Sequence, residues 1–277
     1  MMLTLMYITN SVEIAKIAQD AGVDRIWIDM EWIGKDERQK GLDTVKSHHT
    51  IDDIKRIRPI INKSQLMVRI NPIYEGSKYE IEKTIEAGAD VIMLPMFKTI
   101  EEVKKFLTYV DGRAITLLLI ETIEAVEILD ELIEIKEIDE FHIGLNDLSL
   151  AMHKPFMFDL LRDGLVDDIV AKLKLSKKPY GFGGIARLGK GLVMSEHIIM
   201  EHYRLGSTRA ILSRSFCDAN KTYNSDKVRP LFINGVKDIR KFEFECLNKR
   251  LSDFEDNRKR IKAEIDEADR KINEKQA

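Results

Sequence analysis

The chain has 277 residues, of which 44% are hydrophobic, enough to bury the core of a single α/β domain. Its 44 basic and 47 acidic residues leave a formal charge of −3, which excludes a general attraction to nucleic acid or to an anionic membrane surface. Cys217 and Cys246 are too few for a disulfide framework and form no CxxC pair, so they favour a reducing compartment.

No targeting or membrane-spanning segment is expected. Residues 1–16 contain a short apolar run without a basic leader or a small-residue cleavage site. No stretch reaches the roughly 18 apolar residues that a spanning helix needs. We therefore expect a cytoplasmic protein with no membrane partner and no nucleic-acid partner.

Short apolar runs alternate with amphipathic helical stretches through most of the chain. The near-continuous apolar character of these runs is typical of parallel strands covered on both faces. Eight such strands favour an α/β fold of the closed (β/α)8 type, a TIM barrel, although an open doubly wound sheet shows the same alternation. The predicted strands are Leu3–Thr9, Arg25–Glu31, Gln65–Asn71, Val91–Met96, Ala114–Glu121, Glu140–Asn146, Pro179–Ala186 and Thr208–Arg214.

Residues that begin and end helices can be identified around the first predicted helix. Ser11–Ala21 is predicted as a helix with Ser11 as its N-cap. Gly22 follows this helix, and Gly88 stands in the same place in a second helix-to-strand connection. We expect both glycines to end their helices.

The second strand is followed by a long, charged connection, Trp32 to Thr50. A connection this long inside a compact domain is usually functional or disordered. It leaves the carboxyl end of a strand, the face on which barrel enzymes carry their active sites. Residues of this loop are therefore candidates for contacts with a substrate.

The composition changes near residue 226, so we divide the chain into a barrel domain, 1–225, and a helical extension, 226–277. Apolar residues recur there at alternating steps of three and four, broken once by Arg258. They are Phe244, Leu247, Leu251, Phe254, Ile261, Ile265, Ala268 and Ile272. One long helix packed on its own barrel would explain the pattern, but we favour a coiled-coil contact that joins subunits of a homo-oligomer.

Polar side chains end the predicted strands. Glu121 ends the fifth strand and Asp147 follows the sixth, so the two carboxylates would share one hard cation, Mg2+ or Mn2+. Arg69 ends the third strand, where it would neutralise a developing enolate. Each carboxylate alone would more often be a salt-bridge partner, but three charged groups at strand ends favour a site.

Five motifs occur in order at these strand ends. They are Ile28-Asp29-Met30-Glu31, Met67-Val68-Arg69-Ile70-Asn71, Gly88-Ala89-Asp90-Val91-Ile92-Met93-Leu94-Pro95-Met96, Leu118-Leu119-Ile120-Glu121-Thr122 and Ile143-Gly144-Leu145-Asn146-Asp147-Leu148-Ser149. In this series the chain resembles the HpcH/HpaI aldolase and citrate lyase β-subunit family of the pyruvate/phosphoenolpyruvate barrel superfamily. The resemblance covers about residues 1–215.

The resemblance implies a metal-dependent reaction through a pyruvate-like enolate. Glu121 and Asp147 match the family's metal ligands, and Arg69 matches the arginine that contacts the keto oxygen. The backbone around Gly144 and Asn146 corresponds to the segment that holds the substrate carboxylate.

One departure concerns the Asp29-x-Glu31 motif, which is assigned to the catalytic site together with Arg69. In aldolases of the family a histidine acting as acid or base follows this motif, but here the position holds Trp32. Tryptophan accepts no proton, so another group must act or the aldol step is lost. Trp32 itself is predicted to contact the substrate.

The long loop offers replacements. His48 and His49 are candidate acid/base residues because imidazole titrates near neutral pH. Lys35 and Arg38 are candidates to bind a carboxylate or phosphate of the second substrate. Each of these residues would otherwise belong to a solvated charged loop.

Three functions follow from these residues. The first is a carbon–carbon lyase or aldolase that joins a small 2-oxo acid to an aldehyde or acyl partner. The second is a citrate-lyase-like enzyme acting on an acyl thioester, although no adenine-nucleotide site is evident. The third is a barrel repurposed as a binding or scaffold protein, against which the retention of Glu121, Asp147 and Arg69 argues.

Overall fold

A computed structural model describes residues 2–35, 47–218 and 225–276 of the chain. Eight parallel strands form a closed barrel in which each strand pairs with the next and the eighth returns to the first. The strands are β1 (Thr4–Ile8), β2 (Arg25–Asp29), β3 (Gln65–Arg69), β4 (Val91–Leu94), β5 (Ile115–Ile120), β6 (Glu140–Ile143), β7 (Tyr180–Ile185) and β8 (Arg209–Leu212). The predicted barrel and its eight strands are confirmed.

Helices occupy the connections and follow the last strand. They are α1 (Val12–Asp20), α2 (Ile51–Ile57), α3 (Ser77–Glu86), α4 (Ile100–Val110), α5 (Ile123–Glu127), α6 (Leu129–Leu132), α7 (Leu145–Ala151), α8 (Asp159–Arg162), α9 (Leu165–Ser176), α10 (Ser195–Leu205), α11 (Ser225–Cys246) and α12 (Leu251–Gln276). Within the described ranges, none of these helices has the length and apolar character needed to cross a membrane.

The structure contains the helix cap and the helix-ending glycines that the sequence predicts. The Ser11 side chain accepts the N–H of Ile14 and caps α1. Gly22 and Gly88 adopt φ angles of 92° and 99°, which cost glycine little and let the chain turn from helix to strand. Asp24 then accepts the N–H of Leu5 at 2.7 Å, so the turn after α1 is tied to the neighbouring strand.

Two apolar layers enclose the strands. One lies between the strands and the surrounding helices, and it continues into the C-terminal helices through buried residues such as Phe232 and Ile265. The other fills the interior of the barrel and includes Met6, Trp27 and Met67. Because strand side chains alternate between these layers, the apolar strand sequence is explained by burial on both faces.

A buried ion-pair cluster closes the amino-terminal end of the barrel. Glu140 of β6 accepts hydrogen bonds from Arg25 at 2.6 and 2.8 Å and from Arg209 at 2.8 and 2.8 Å. Burial alone would raise the pKa of Glu140, but the bonds from Arg209 and Arg25 outweigh it and lower this pKa from 4.5 to about 2. The carboxylate therefore favours the folded state.

Glu140→Gln should lower the free energy of unfolding at neutral pH by about 3–5 kcal/mol, because two buried guanidinium groups lose their common counter-charge. In the wild type, the stabilisation from Glu140 is present above pH 4.5 and is lost as the pH falls toward about 2. Urea unfolding at pH 7 and pH 3 measures both effects. Glu137→Gln, an exposed substitution nearby, is the control, and equal stability of the two variants at pH 7 would contradict the prediction.

The C-terminal segment differs from the single long helix expected. It consists of α11 and α12, separated at residues 247–250. Ile261, Ile265 and Ala268 are buried within this same chain, where α12 packs against α10. The coiled-coil interpretation is therefore wrong for this part of the repeat, since its apolar face is already covered.

The other part of the repeat lies at the break between α11 and α12. Phe244, Leu247 and Leu251 are 66%, 51% and 73% exposed in the single chain. Assembly of subunits through the C-terminal segment thus remains a prediction, now confined to these exposed residues.

Candidate active site

A cavity of about 240 Å³ opens at the carboxyl ends of the strands. Arg69, Glu121 and Asp147 lie in its wall, as expected from their positions just at or after β3, β5 and β6. Lys35, Gly144 and Asn146 also line it. Glu121 and Asp147 are the two carboxylates in the described lining, so the cavity combines paired oxygen donors with an arginine.

Arg69 is held rigidly by the Asp29-x-Glu31 motif. Its Nε and Nη2 donate to the two carboxylate oxygens of Asp29 at 2.8 and 2.9 Å, and its Nη1 lies 3.2 Å from Oε2 of Glu31. The Arg69 guanidinium also lies over the Trp27 ring, with 5.1 Å between Cζ and the ring centroid. These contacts hold the guanidinium of Arg69 in one orientation at the wall of the cavity.

Asp29 and Arg69 stay ionised despite their burial. Burial alone would raise the pKa of Asp29, but Arg69 and Lys35 together hold it well below its usual range. Burial would likewise lower the pKa of Arg69, yet Asp29 and Glu31 raise it well above its usual value. Asp29 and Glu31 therefore hold the Arg69 guanidinium in place at the cavity wall.

Glu121 lies in a different environment. It is 2% exposed, and its Oε1 accepts the N–H of Met96 at 3.1 Å. Burial raises the pKa of Glu121 well above its usual value, the nearby carboxylates of Asp147 and Glu31 raise it further, and Arg69 opposes them only in part. A buried carboxylate next to a second, half-buried carboxylate is a costly arrangement unless a cation is bound between them.

The contact between Met96 and Glu121 could not be predicted from the sequence. Met96 has a φ of 52°, a left-handed conformation that few residues other than glycine adopt. The N–H of this residue meets the Glu121 carboxylate. Backbone strain of this kind is characteristic of functional sites.

Gly144 contributes by lacking a side chain. A Cβ at this position would lie 2.7 Å from Cβ and 2.8 Å from Oε2 of Glu121, so any side chain would displace the carboxylate. Its N–H is donated to the carbonyl of Ile120 at 2.9 Å and is not available to a substrate carboxylate. The next residue, Leu145, begins α7.

The donor set fits a hard divalent cation. The described residues contain no group of three or more histidine, cysteine or acidic side chains arranged to hold a metal. Mg2+, however, is commonly bound by one or two carboxylates, with water and substrate oxygens completing its shell. Burial first, and then the neighbouring Asp147, raises the pKa of Glu121, and a bound cation would relieve this unfavourable placement of negative charge.

The loop residues predicted to bind the second substrate do not lie where that role would require. The Lys35 ammonium is 2.9 Å from Asp29 Oδ2 and 3.5 Å from Glu31 Oε2, so it is committed to the buried cluster. Trp32 is 63% exposed and does not line the cavity. Arg38 lies outside the described residues.

Neither candidate acid/base histidine lines the cavity. His48 is exposed. Nδ1 of His49 accepts the backbone N–H of Asp29 at 3.0 Å, which leaves the proton of the neutral ring on Nε2. Burial is the main factor that lowers the pKa of His49, so this ring is a weak proton acceptor.

His142 of β6 also lines the cavity. It is fully buried, and burial lowers its pKa to about 3, which keeps the ring neutral. Nε1 of Trp27, which also lines the cavity, has no hydrogen-bond partner among the described residues. The strand pattern predicted burial, but only the closed barrel shows that these groups face a cavity.

Comparisons with known proteins gave one family match and several similar folds. A sequence model of the family described as HpcH/HpaI aldolase/citrate lyase matches residues 3–156, a range that includes Asp29, Arg69, Glu121 and Asp147. A search of curated proteins found no match.

Solved structures are similar in fold. An HpcH/Hpal aldolase/citrate lyase family protein from Burkholderia cenocepacia J2315 is 13% identical, with a TM-score of 0.62 over 82% of this chain and 95% of that chain. The HpcH/HpaI aldolase from Desulfitobacterium hafniense DCB-2 is 14% identical, with a TM-score of 0.56 over 83% and 93%. Citrate synthase SbnG is 15% identical, with a TM-score of 0.60 over 80% and 91%.

Proposed function

The chain belongs to the HpcH/HpaI aldolase/citrate lyase family, and on this premise we propose that it is a metal-dependent carbon–carbon lyase or aldolase acting on a small 2-oxo acid. The observation that carries the proposal is the meeting of Arg69, Glu121 and Asp147 in one cavity. These residues come from three different strand ends, and a purely structural role would not require them to face a common space. A repurposed scaffold would have no use for the unfavourable carboxylate pair.

Glu121 and Asp147 would hold Mg2+ or Mn2+, which would supply a Lewis acid at the oxygens of the 2-oxo acid. Arg69 lies in the same cavity and presents a guanidinium already oriented by Asp29 and Glu31. It would stabilise the negative charge that develops on the enolate oxygen without reorganising during the reaction. Asn146 and the first turn of α7 lie beside these groups and would position the substrate carboxylate.

The reaction requires a base that removes a proton from the donor carbon. Trp32 occupies the position of the histidine that acts as acid or base in aldolases of the family, so that histidine is absent here. The imidazoles of His49 and His142 are weak acceptors, the first because Nδ1 is occupied and the second because its pKa is about 3. A test of the function must therefore report directly on proton removal. It must also avoid any assumption about the second substrate.

Exchange of the methyl protons of pyruvate for deuterium meets both requirements. We expect the wild-type protein to catalyse this exchange in heavy water when Mg2+ or Mn2+ is present and to lose it on chelation. Proton NMR of the pyruvate methyl signal over time measures the rate. Metal binding without exchange of pyruvate or of its homologue 2-oxobutyrate would contradict the proposal.

A further inference from the structure

A second cavity, of about 270 Å³, adjoins the first at the carboxyl ends of β7 and β8. The two cavities have five lining residues in common, so they lie side by side. The shared residues are Asn146, Met157, Gly184, Ser213 and Arg214. The groups proposed to act on the 2-oxo acid belong to the first cavity, which leaves the second for another part of the reaction.

The wall of the second cavity is mainly apolar. Its apolar side chains include Phe156, Met157, Phe158, Leu192, Val193 and Ile198. The rings of Phe156 and Phe158 meet edge to face, with their centroids 5.3 Å apart. Arg214 is the one charged side chain in the described lining. A cationic ligand would find no counter-charge in this described lining, and the attraction of Arg214 for an anion is weakened by its exposure to water. An apolar group would gain from burial against the wall.

The last helix holds both loops that form this wall. Arg162 follows the Phe156–Phe158 segment and forms an ion pair with Asp269 of α12. Glu264 of α12 accepts the N–H of Met194, next to Leu192 and Val193 in the chain, at 3.0 Å. Because α12 ties down both sides, the cavity is formed before a ligand enters, which reduces the entropy lost on binding.

We propose that the second cavity binds the aldehyde partner of the reaction and that the body of this aldehyde is apolar, an aromatic ring or a branched aliphatic chain. The proposal rests on the proposed function, since the aldehyde carbonyl would lie where the two cavities meet. Carbon 3 of the enolate attacks the carbonyl carbon and a carbon–carbon bond forms. The carbonyl electron pair moves to oxygen, which takes up one proton in place of the one removed from carbon 3, and a 4-hydroxy-2-oxo acid results.

The test compares addition of pyruvate to benzaldehyde and to glyoxylate, a small anionic aldehyde. The wild type should favour benzaldehyde in kcat/KM by at least about tenfold, and Leu192→Glu should reduce this ratio about tenfold. Leu192 lines the cavity yet is 63% exposed, so the charge should not prevent folding. Leu175→Glu, at a position 72% exposed on α9, is the matched control and should keep the wild-type ratio.

A binding measurement makes the result independent of turnover. Benzyl alcohol, an unreactive probe of similar shape, should give saturation-transfer NMR signals with the wild type and Leu175→Glu but not with Leu192→Glu. Absence of these signals in the wild type, or a preference for glyoxylate, would overturn the assignment of the cavity while leaving the 2-oxo acid reaction intact. If the wild type does not exchange pyruvate or 2-oxobutyrate protons, the proposed function falls, and the aldehyde role falls with it.

Discussion

Glu121→Gln is expected to reduce metal-dependent exchange of pyruvate protons by at least about a thousandfold. Glutamine keeps the size of the side chain, but its neutral amide is a poorer ligand for a hard cation than a carboxylate. Binding of Mn2+, followed by electron paramagnetic resonance, should weaken by at least about a hundredfold. Asp147→Asn should have the same two effects, because each change leaves a single carboxylate in the described lining of the first cavity.

The stability of the metal-free variant provides an independent check. The pKa of Glu121 is raised in the folded protein, mainly by burial and then by Asp147, so its ionised form opposes folding at neutral pH. The contribution of Glu121 to stability therefore falls as the pH rises above its ordinary pKa, and Glu121→Gln should be at least as stable as the wild type without metal. Loss of activity would then not reflect unfolding.

Glu124→Gln is the matched control for this experiment. Glu124 lies on α5, three residues further along the chain, and its carboxylate is exposed and paired with Lys98 at 2.9 Å. Such a surface pair contributes little, so the control should match the wild type in exchange, metal affinity and stability. Wild-type Mn2+ affinity in Glu121→Gln would show that the metal site is assigned to the wrong residues.

Arg69→Lys is expected to lower the exchange rate by about a hundredfold or more while leaving Mn2+ affinity nearly unchanged. Lysine keeps the positive charge, but a single ammonium cannot make the two parallel bonds to Asp29 and also reach Glu31. The charge would no longer be held at the position of the enolate oxygen. The loss should therefore appear in the maximal rate of exchange more than in the pyruvate concentration at half-saturation.

Arg113→Lys tests whether this effect is specific to the site. Arg113 also makes two hydrogen bonds to one carboxylate, that of Glu82, but on the protein surface. The Arg113→Lys variant should exchange pyruvate protons at the wild-type rate. If Arg69→Lys did the same, Arg69 would be a structural partner of Asp29 and would have no part in enolate stabilisation.

The sequence predicted contacts in the candidate site only for residues whose positions are set by the order of the strands. The carboxyl ends of parallel strands meet on one face, so Arg69, Glu121 and Asp147 could be assigned to one site from their positions after β3, β5 and β6. The loop after β2 carries no such constraint. Lys35 looked available to a substrate, whereas the structure places its ammonium between Asp29 and Glu31.

Other site features arise from contacts that are distant in sequence. The N–H of Met96 meets Glu121, and the absent side chain of Gly144 makes room for the same carboxylate. The second cavity depends on the packing of α12 against loops more than 60 residues away, as in the bond from Met194 to Glu264. None of these contacts has a periodic pattern in the sequence.

The sequence by itself determined the eight strands and their alternation with helices, because burial on both faces requires continuous apolar strands and because caps and glycines act over a few neighbouring residues. The pairing of β8 with β1, which closes the barrel and excludes an open sheet, was decided by the tertiary structure. It also determined which strand ends carry charge. Tertiary structure alone decided that the apolar repeat at Ile261 and Ile265 covers its own chain, and that His142 faces a cavity. The physical reason is that periodicity shows only that a face is buried, whereas the surface or space it meets depends on chain segments far away in the sequence.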